Sequence, residues 1–158
     1  MGKITIRRAT ATDAGLLSML NADVQAIHAA ALPGWFKPPG PESFPAAAAA
    51  AVIAKAENLV FLAESGADAA GYAYAEIIRQ GETPLRHAYE MVYLHHISVR
   101  PAHRQQGVGS ALVEAVCSAA GEIGITLLGA DIWSFNDAAR AFFRRHGFAA
   151  YNERLWNR

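Results

Sequence analysis

The sequence is poor in the features that mark most specialised proteins. It holds one cysteine, Cys117, so no disulfide forms within the chain, which fits a reducing cytoplasm. Cys117 follows Val116 in a helical pattern and is expected to be a small core residue. No cysteine–histidine spacing matches a zinc site, so no metal is expected. Lys and Arg number 14, as do Asp and Glu, and a net charge of zero supplies no field for nucleic acid. No apolar run approaches the roughly 18–20 residues of a membrane span. Residues 1–8 lack the long apolar segment of a signal peptide. These absences predict a cytoplasmic protein that engages neither membrane nor nucleic acid.

What is present is a chain of 158 residues, 53% hydrophobic and 18% charged, enough for one domain over 1–158 with a substantial core. Ile4-Thr5-Ile6 reads as a short strand, and Thr12 or Asp13 can cap the helix that follows. Leu16, Leu17, Leu20, Val24, Ile27 and Ala31 mark the expected buried face of that helix. Pro33 to Pro45 holds five of the seven prolines and must be a loop. Within it, Trp35 and Phe36 are expected either to wall a substrate pocket or to cover the core edge. Ala46 to Ala56 favours helix. Leu59–Glu64 and Ala70–Ile78 read as an antiparallel pair around a turn at Ser65–Asp68.

The most informative stretch is Val92–Ala115. An apolar run, Met91 to Val99, is long enough for a buried strand. A basic turn starts at Arg100-Pro101. A helix then begins near Gly107, with Val108, Ala111, Leu112, Ala115, Val116 and Ala119 at helical spacing. Strand, glycine turn and helix N-terminus together form an anion site, because the first helical N–H groups have no intrahelical partner. Gly107 and Gly109 would let a phosphate approach the backbone, with Arg104 and Arg100 adding charge. The motif G-x-x-x-x-G-K-S/T is absent, and Leu112 stands where a dinucleotide fingerprint needs Gly or Ala.

Arg104-Gln105-Gln106-Gly107-Val108-Gly109 resembles the R/Q-x-x-G-x-G/A motif of the GNAT family of N-acetyltransferases. Asn136-Asp137-Ala138-Ala139-Arg140-Ala141-Phe142-Phe143, ending at Gly147-Phe148, is similar to the family's N-x-x-A-x-x-F-Y segment. The resemblance is specific from about Tyr93 to Phe148. It implies acetyl-coenzyme A as co-substrate, held at Ile97, Ser98, Val99, Arg104, Gln105, Gln106, Gly107, Val108, Gly109 and Ser110, with Asn136 on the pantetheine arm and Phe143 nearby. Phe143 departs from the family pattern, in which a Tyr there protonates the leaving thiolate.

The remaining elements complete an order βααβββαβαβ: a strand from Ile125 to Trp133, a helix capped by Asn136 and stopped by Gly147, and a strand from Phe148 to Trp156. The predicted class is mixed α/β, a GNAT-type domain with one mostly antiparallel sheet and about four helices. A right-handed crossover places Ile125–Trp133 parallel to the central strand, and the resemblance implies that this pair splays to form the cleft.

The implied reaction is acetyl transfer from a thioester to an amine in one ternary complex, with a backbone N–H near Ile97–Val99 facing the thioester oxygen. The amine must lose a proton, for which a histidine is well suited. The Leu94-His95-x-Ile97-x-Val99 spacing resembles that of arylalkylamine acetyltransferases, in which a strand histidine is the base, and this favours His95. Alternation puts His95 with Tyr93, Ile97 and Val99, and His96 on the other face. The bland alternative is a histidine paired inside the sheet. His96 ranks second and Glu90 third, while Tyr93 is expected to orient the acceptor or relay a proton. His28 is read as structural or as pocket rim, and Arg144 and Arg145 as a solvated face. A module that binds acyl-coenzyme A without transfer is the competing reading; the acceptor amine and the oligomeric state, a homodimer included, stay open.

Overall fold

The structure is a computed structural model and describes residues 2–157. Its elements are β1 (Ile4–Arg8), α1 (Ala14–Ala31), α2 (Ala46–Ala54), β2 (Asn58–Ser65), β3 (Asp68–Gln80), β4 (Tyr89–Val99), α3 (Val108–Glu122), β5 (Leu128–Ala130) and α4 (Asp137–Arg145). The five strands form one sheet in the order β1-β2-β3-β4-β5. The first four pair antiparallel, and β4–β5 is parallel, as the strand–helix–strand crossover requires.

Alternation along β2 divides the core. Leu59, Phe61 and Ala63 face α3 with Val92 and Leu94, and meet Val108, Leu112, Val113 and Val116. Val60 and Leu62 face α1 and α2 with Tyr72, against Leu17, Leu20 and Ala49. Each fully buried Leu or Val contributes about 1.5–3 kcal/mol relative to exposure, so α3 is anchored by its periodic stripe.

Two sequence expectations about the helices differ from the fold. The buried face of α1 is Ala14, Leu17, Leu20, Asn21 and Ala29, while Ala31 and Ile27 (38%) are exposed. A polar residue takes the inward position because Asn21 Nδ2 donates to the Tyr72 hydroxyl at 2.9 Å. Cys117 is exposed rather than core, because it lies on the face of α3 away from the sheet.

The strand expected over Ile125–Trp133 keeps only Leu128–Ala130, and the one expected over Phe148–Trp156 has no regular structure. These two differences share a cause. Pairing with β4 stops at Leu94↔Ala130, so β5 is too short an edge to template a further strand. Residues 149–157 are exposed.

Candidate active site

Beyond Leu94 and Ala130 the parallel pair parts, and a cleft of about 320 Å³ opens between β4 and the β5–α4 segment. His28 from α1, Tyr93, Leu94, His95 and Ile97 from β4, and Asp131 to Trp133 line it. Asn136, Ala139 and Phe143 close it from the α4 side.

The facing of the histidines differs from simple alternation. Tyr74 pairs with His96 but Ala75 pairs with Leu94, so His95 is an extra residue at a β-bulge. Both histidine rings then meet Tyr74, at 4.8 Å for His95 and 5.4 Å for His96. Tyr93 meets His95 edge-on at 4.9 Å. Ile97 and Val99 return to the α3 side and join its core. The expectation that His95 shares a face with Ile97 and Val99 is therefore wrong; the bulge resets the alternation by one residue.

The two histidines sit in different surroundings. Asn21 donates to the Tyr72 oxygen, whose own proton goes to His96 Nδ1 at 2.9 Å. Burial first, then the charges of His95 and His28, lower the His96 pKa to about 4. Its imidazole is neutral near pH 7 and a poor proton acceptor. His95 places Nε2 2.9 Å from Glu76 Oε2 on β3, so it is paired, but at the cleft rather than inside the sheet. Glu76 is the site residue that sequence reading missed; only the antiparallel register Glu76↔Tyr93 brings it there. Burial, then the neighbouring Asp131 carboxylate, pushes the Tyr93 hydroxyl up to about 12. Burial also lowers the His28 pKa. Glu90 lies away from the cleft, in an exposed pair with Arg79.

Aromatic rings surround the cleft mouth. Phe36 stacks on His28 at 5.0 Å and meets Trp133 edge-on at 4.9 Å. Trp35 is 64% exposed and contacts Trp156 at 4.9 Å. Of the two loop aromatics, Phe36 thus abuts two lining residues, and Trp35 sits farther out.

The glycine turn follows β4. A 3₁₀ turn at Pro101–His103 leads to Gln105 at φ +60° and Gly107 at φ +85°. Arg104 Nε donates to Val99 O at 3.1 Å, and Gln106 Nε2 donates to Ala102 O at 2.9 Å, holding the loop. The first bond of α3 runs from Ala111 N to Gly107 O at 3.0 Å. The amides of Val108, Gly109 and Ser110 precede it and have no intrahelical partner, which suits a phosphate or pyrophosphate. The two glycines act differently. Gly107 supplies the left-handed conformation and meets open space, whereas a Cβ at Gly109 would lie 3.2 Å from the Phe142 ring. The bare Cα of Gly109 therefore also serves α3–α4 packing, while its amide stays among the three without an intrahelical partner.

The other expected contacts divide in the same way. Ser98 turns its hydroxyl away, donating to Leu20 O at 2.8 Å, so only its backbone can face a ligand. The Ser110 hydroxyl bonds His146 Nε2 at 3.0 Å, tying α3 to α4. Asn136 Oδ1 caps α4 by accepting from Ala139 N at 3.0 Å, which leaves its amide NH₂ for the cleft. Phe143 is buried against Phe142 and Phe148 and offers no proton. Arg144 and Arg145 are exposed, as read. Among the described residues, no three His, Cys, Asp or Glu side chains group to hold a metal, and no helix is long and apolar enough to cross a membrane.

Solved structures share this architecture. A tetramutant of the BH1408 protein from Bacillus halodurans superposes with a TM-score of 0.92 at 18% identity, over 98% of this chain and 99% of that one. The aminoglycoside N-acetyltransferase AAC(6')-Iy in complex with CoA gives 0.73 at 21%, over 100% and 95%. The aminoglycoside acetyltransferase meta-AAC0020 from an uncultured soil metagenomic sample, in complex with sisomicin, gives 0.68 at 17%, over 98% and 94%. At these identities the likeness is one of fold. Among curated proteins none matches the chain in sequence. The profile of the Acetyltransferase (GNAT) family matches residues 24–148, which span α1 past its first turns, the sheet from β2 to β5, the glycine turn and α4. By that match the chain belongs to the GNAT acetyltransferase family.

Proposed function

We propose that the protein is an N-acetyltransferase that uses acetyl-coenzyme A and acetylates a primary amine by direct attack in a ternary complex. The observation that carries this reading is the parting of β4 and β5. The gap gives access to Tyr93 and His95 from the α1 side, and to Ile97, Asn136 and Phe143 from the α3–α4 side. The free amides of Val108–Ser110 would hold the pyrophosphate, with Arg104 and the backbone of Gln105–Gly107 around it. Ile97 to Val99 and Asn136 would hold the pantetheine arm. His95 takes the proton of the attacking amine, directly or through one water. His96 is too weak a base for that task at neutral pH. Tyr93 orients the acceptor.

The cleft also selects among acceptors. Asp131 is the one carboxylate among its lining residues, and Glu76 is engaged by His95. Trp133, and Phe36 behind it, supply an apolar wall. The cleft's volume of about 320 Å³, part of which the pantetheine arm would fill, lies near the lower end of small-molecule sites, roughly 300–1,000 Å³. These features favour a small monoamine with an apolar body. A polycationic acceptor is the second reading, favoured by the aminoglycoside enzymes that share the fold. It would bring several ammonium groups into a cleft lined by a single carboxylate, Asp131.

Thiol release from acetyl-coenzyme A with 2-phenylethylamine, butylamine, spermidine and sisomicin tests both readings. Release is expected with the monoamines, fastest with 2-phenylethylamine. Fastest release with sisomicin or spermidine would establish the polycation reading instead. Saturable coenzyme A binding with no release from any amine would favour a binding module.

A further inference from the structure

We infer that Glu76 is a positioning residue: it holds the proton of His95 on Nε2 and leaves Nδ1 as the atom that receives the acceptor's proton. This rests on the acetyl-transfer reading above and adds to it the identity of the accepting atom and the group that selects it.

The sheet places the parts. Tyr72, Tyr74 and Glu76 alternate onto one face of β3, and the register sets Glu76 opposite Tyr93 and Tyr74 opposite His96. His95, extra at the bulge, falls between those pairs on the same face. Its ring lies flat on Tyr74, at 4.8 Å and 20°, and meets the Tyr93 ring edge-on at 4.9 Å. The two rings restrict rotation of the imidazole, and the Glu76 carboxylate lies 2.9 Å from Nε2.

The chemistry follows from donor and acceptor inventories. A carboxylate has no proton to give, so the Nε2–Oε2 contact requires the hydrogen on Nε2. Nδ1 then carries the lone pair, and among the described residues it has no hydrogen-bond partner. As the amine nitrogen bonds to the thioester carbon, its proton passes to Nδ1. The carbon–sulfur bond then breaks, and its electron pair leaves on sulfur. The imidazolium formed meanwhile faces the Glu76 carboxylate, which stabilises the charge where it appears. In His96 the roles are reversed: its Nδ1 is consumed by the Tyr72 hydroxyl. Neighbours in sequence, the two imidazoles present different atoms to their surroundings.

A contact that merely stabilises the sheet would fix the same tautomer but leave kcat unmoved, so the test reads the tautomer and kcat together. Nitrogen-15 spectra of the imidazoles, assigned with His95→Gln, should show His95 of the wild type protonated on Nε2. In Glu76→Ala a mixture should appear. Glu76→Ala should lower kcat on the order of tenfold or more, with acceptor KM and coenzyme A affinity within about twofold of wild type. Glu76→Asp, which retains a carboxylate, should recover part of the loss. Side chains of His95 and Glu76 are about one-third exposed, 32% and 33%, so the variants should fold, and matching Tm values would show that they do. A wild-type His95 protonated on Nδ1 would overturn the inference. So would Glu76→Ala with unchanged kcat. If the wild type released no thiol with any amine, the acetyl-transfer reading would fail. The wild-type tautomer would still decide whether Glu76 sets the proton.

Discussion

Burial sets His96 apart from His95: its Nδ1 meets the Tyr72 hydroxyl inside the fold, whereas His95 meets Glu76 at the cleft. Buried and neutral, His96 has a folded pKa of about 4 against about 6.5 in an unfolded chain. Between these values the unfolded state binds more protons, so stability rises with pH. His96 thus contributes nothing adverse above about pH 6.5 and costs progressively more as pH falls toward 4. Asp13 works in the same direction at lower pH. The Arg7 guanidinium at 2.8 Å, with further bonds from Thr10, holds its carboxyl well below the usual range, so its contribution is lost only as pH falls below about 4. Urea denaturation should show stability falling by about 2–3 kcal/mol from pH 6.5 to 4 through His96. His96→Gln should flatten that segment and leave the loss below pH 4. Coincident profiles for the two proteins would show that His96 is not held neutral.

At the scale of elements, α3 and its glycine turn bind two functions into one motif. Gly107 sits at φ +85° in open space, and Gly109 faces Phe142. Gly107→Ala should lower Tm through the cost of the left-handed conformation, about 1–2 kcal/mol, and weaken coenzyme A binding by disturbing the helix N-terminus. Gly109→Val should instead loosen α4 against α3, with a larger fall in Tm, because its side chain must displace the Phe142 ring. Calorimetry and thermal melts on the same samples separate the two, and equal effects would show that the glycines share one role. The turn was legible in the sequence because strand, glycine and helix signals are local there. The bulge at His95 was not, since it arises from the register of β3 on β4, a non-local property. For the same reason Glu76 could not be found from spacing. The final strand was misread because Phe148–Trp156 carries strand-forming residues, yet β5 offers only three residues to pair with. Local propensity yields when the partner edge is missing.

Across the molecule, the antiparallel half of the sheet holds the face proposed to be catalytic, and the parting of β4 from β5 opens that face toward α4. Sequence alone supplied the mixed α/β class and the motif at 104–110, and both agree with the folded chain. The acceptor was not legible, because the aromatic wall proposed to meet it is assembled from His28, Phe36 and Trp133, which lie far apart in the chain. In the proposed mechanism, amine activation at His95 is separate from cofactor binding at the glycine turn. The direct measurement is kinetics and coenzyme A calorimetry on wild type, His95→Ala and His96→Ala. His95→Ala should lower kcat/KM on the order of a hundredfold or more with coenzyme A affinity nearly intact, and His96→Ala should do less. Normal turnover in His95→Ala, or a loss that tracks coenzyme A affinity, would contradict the account.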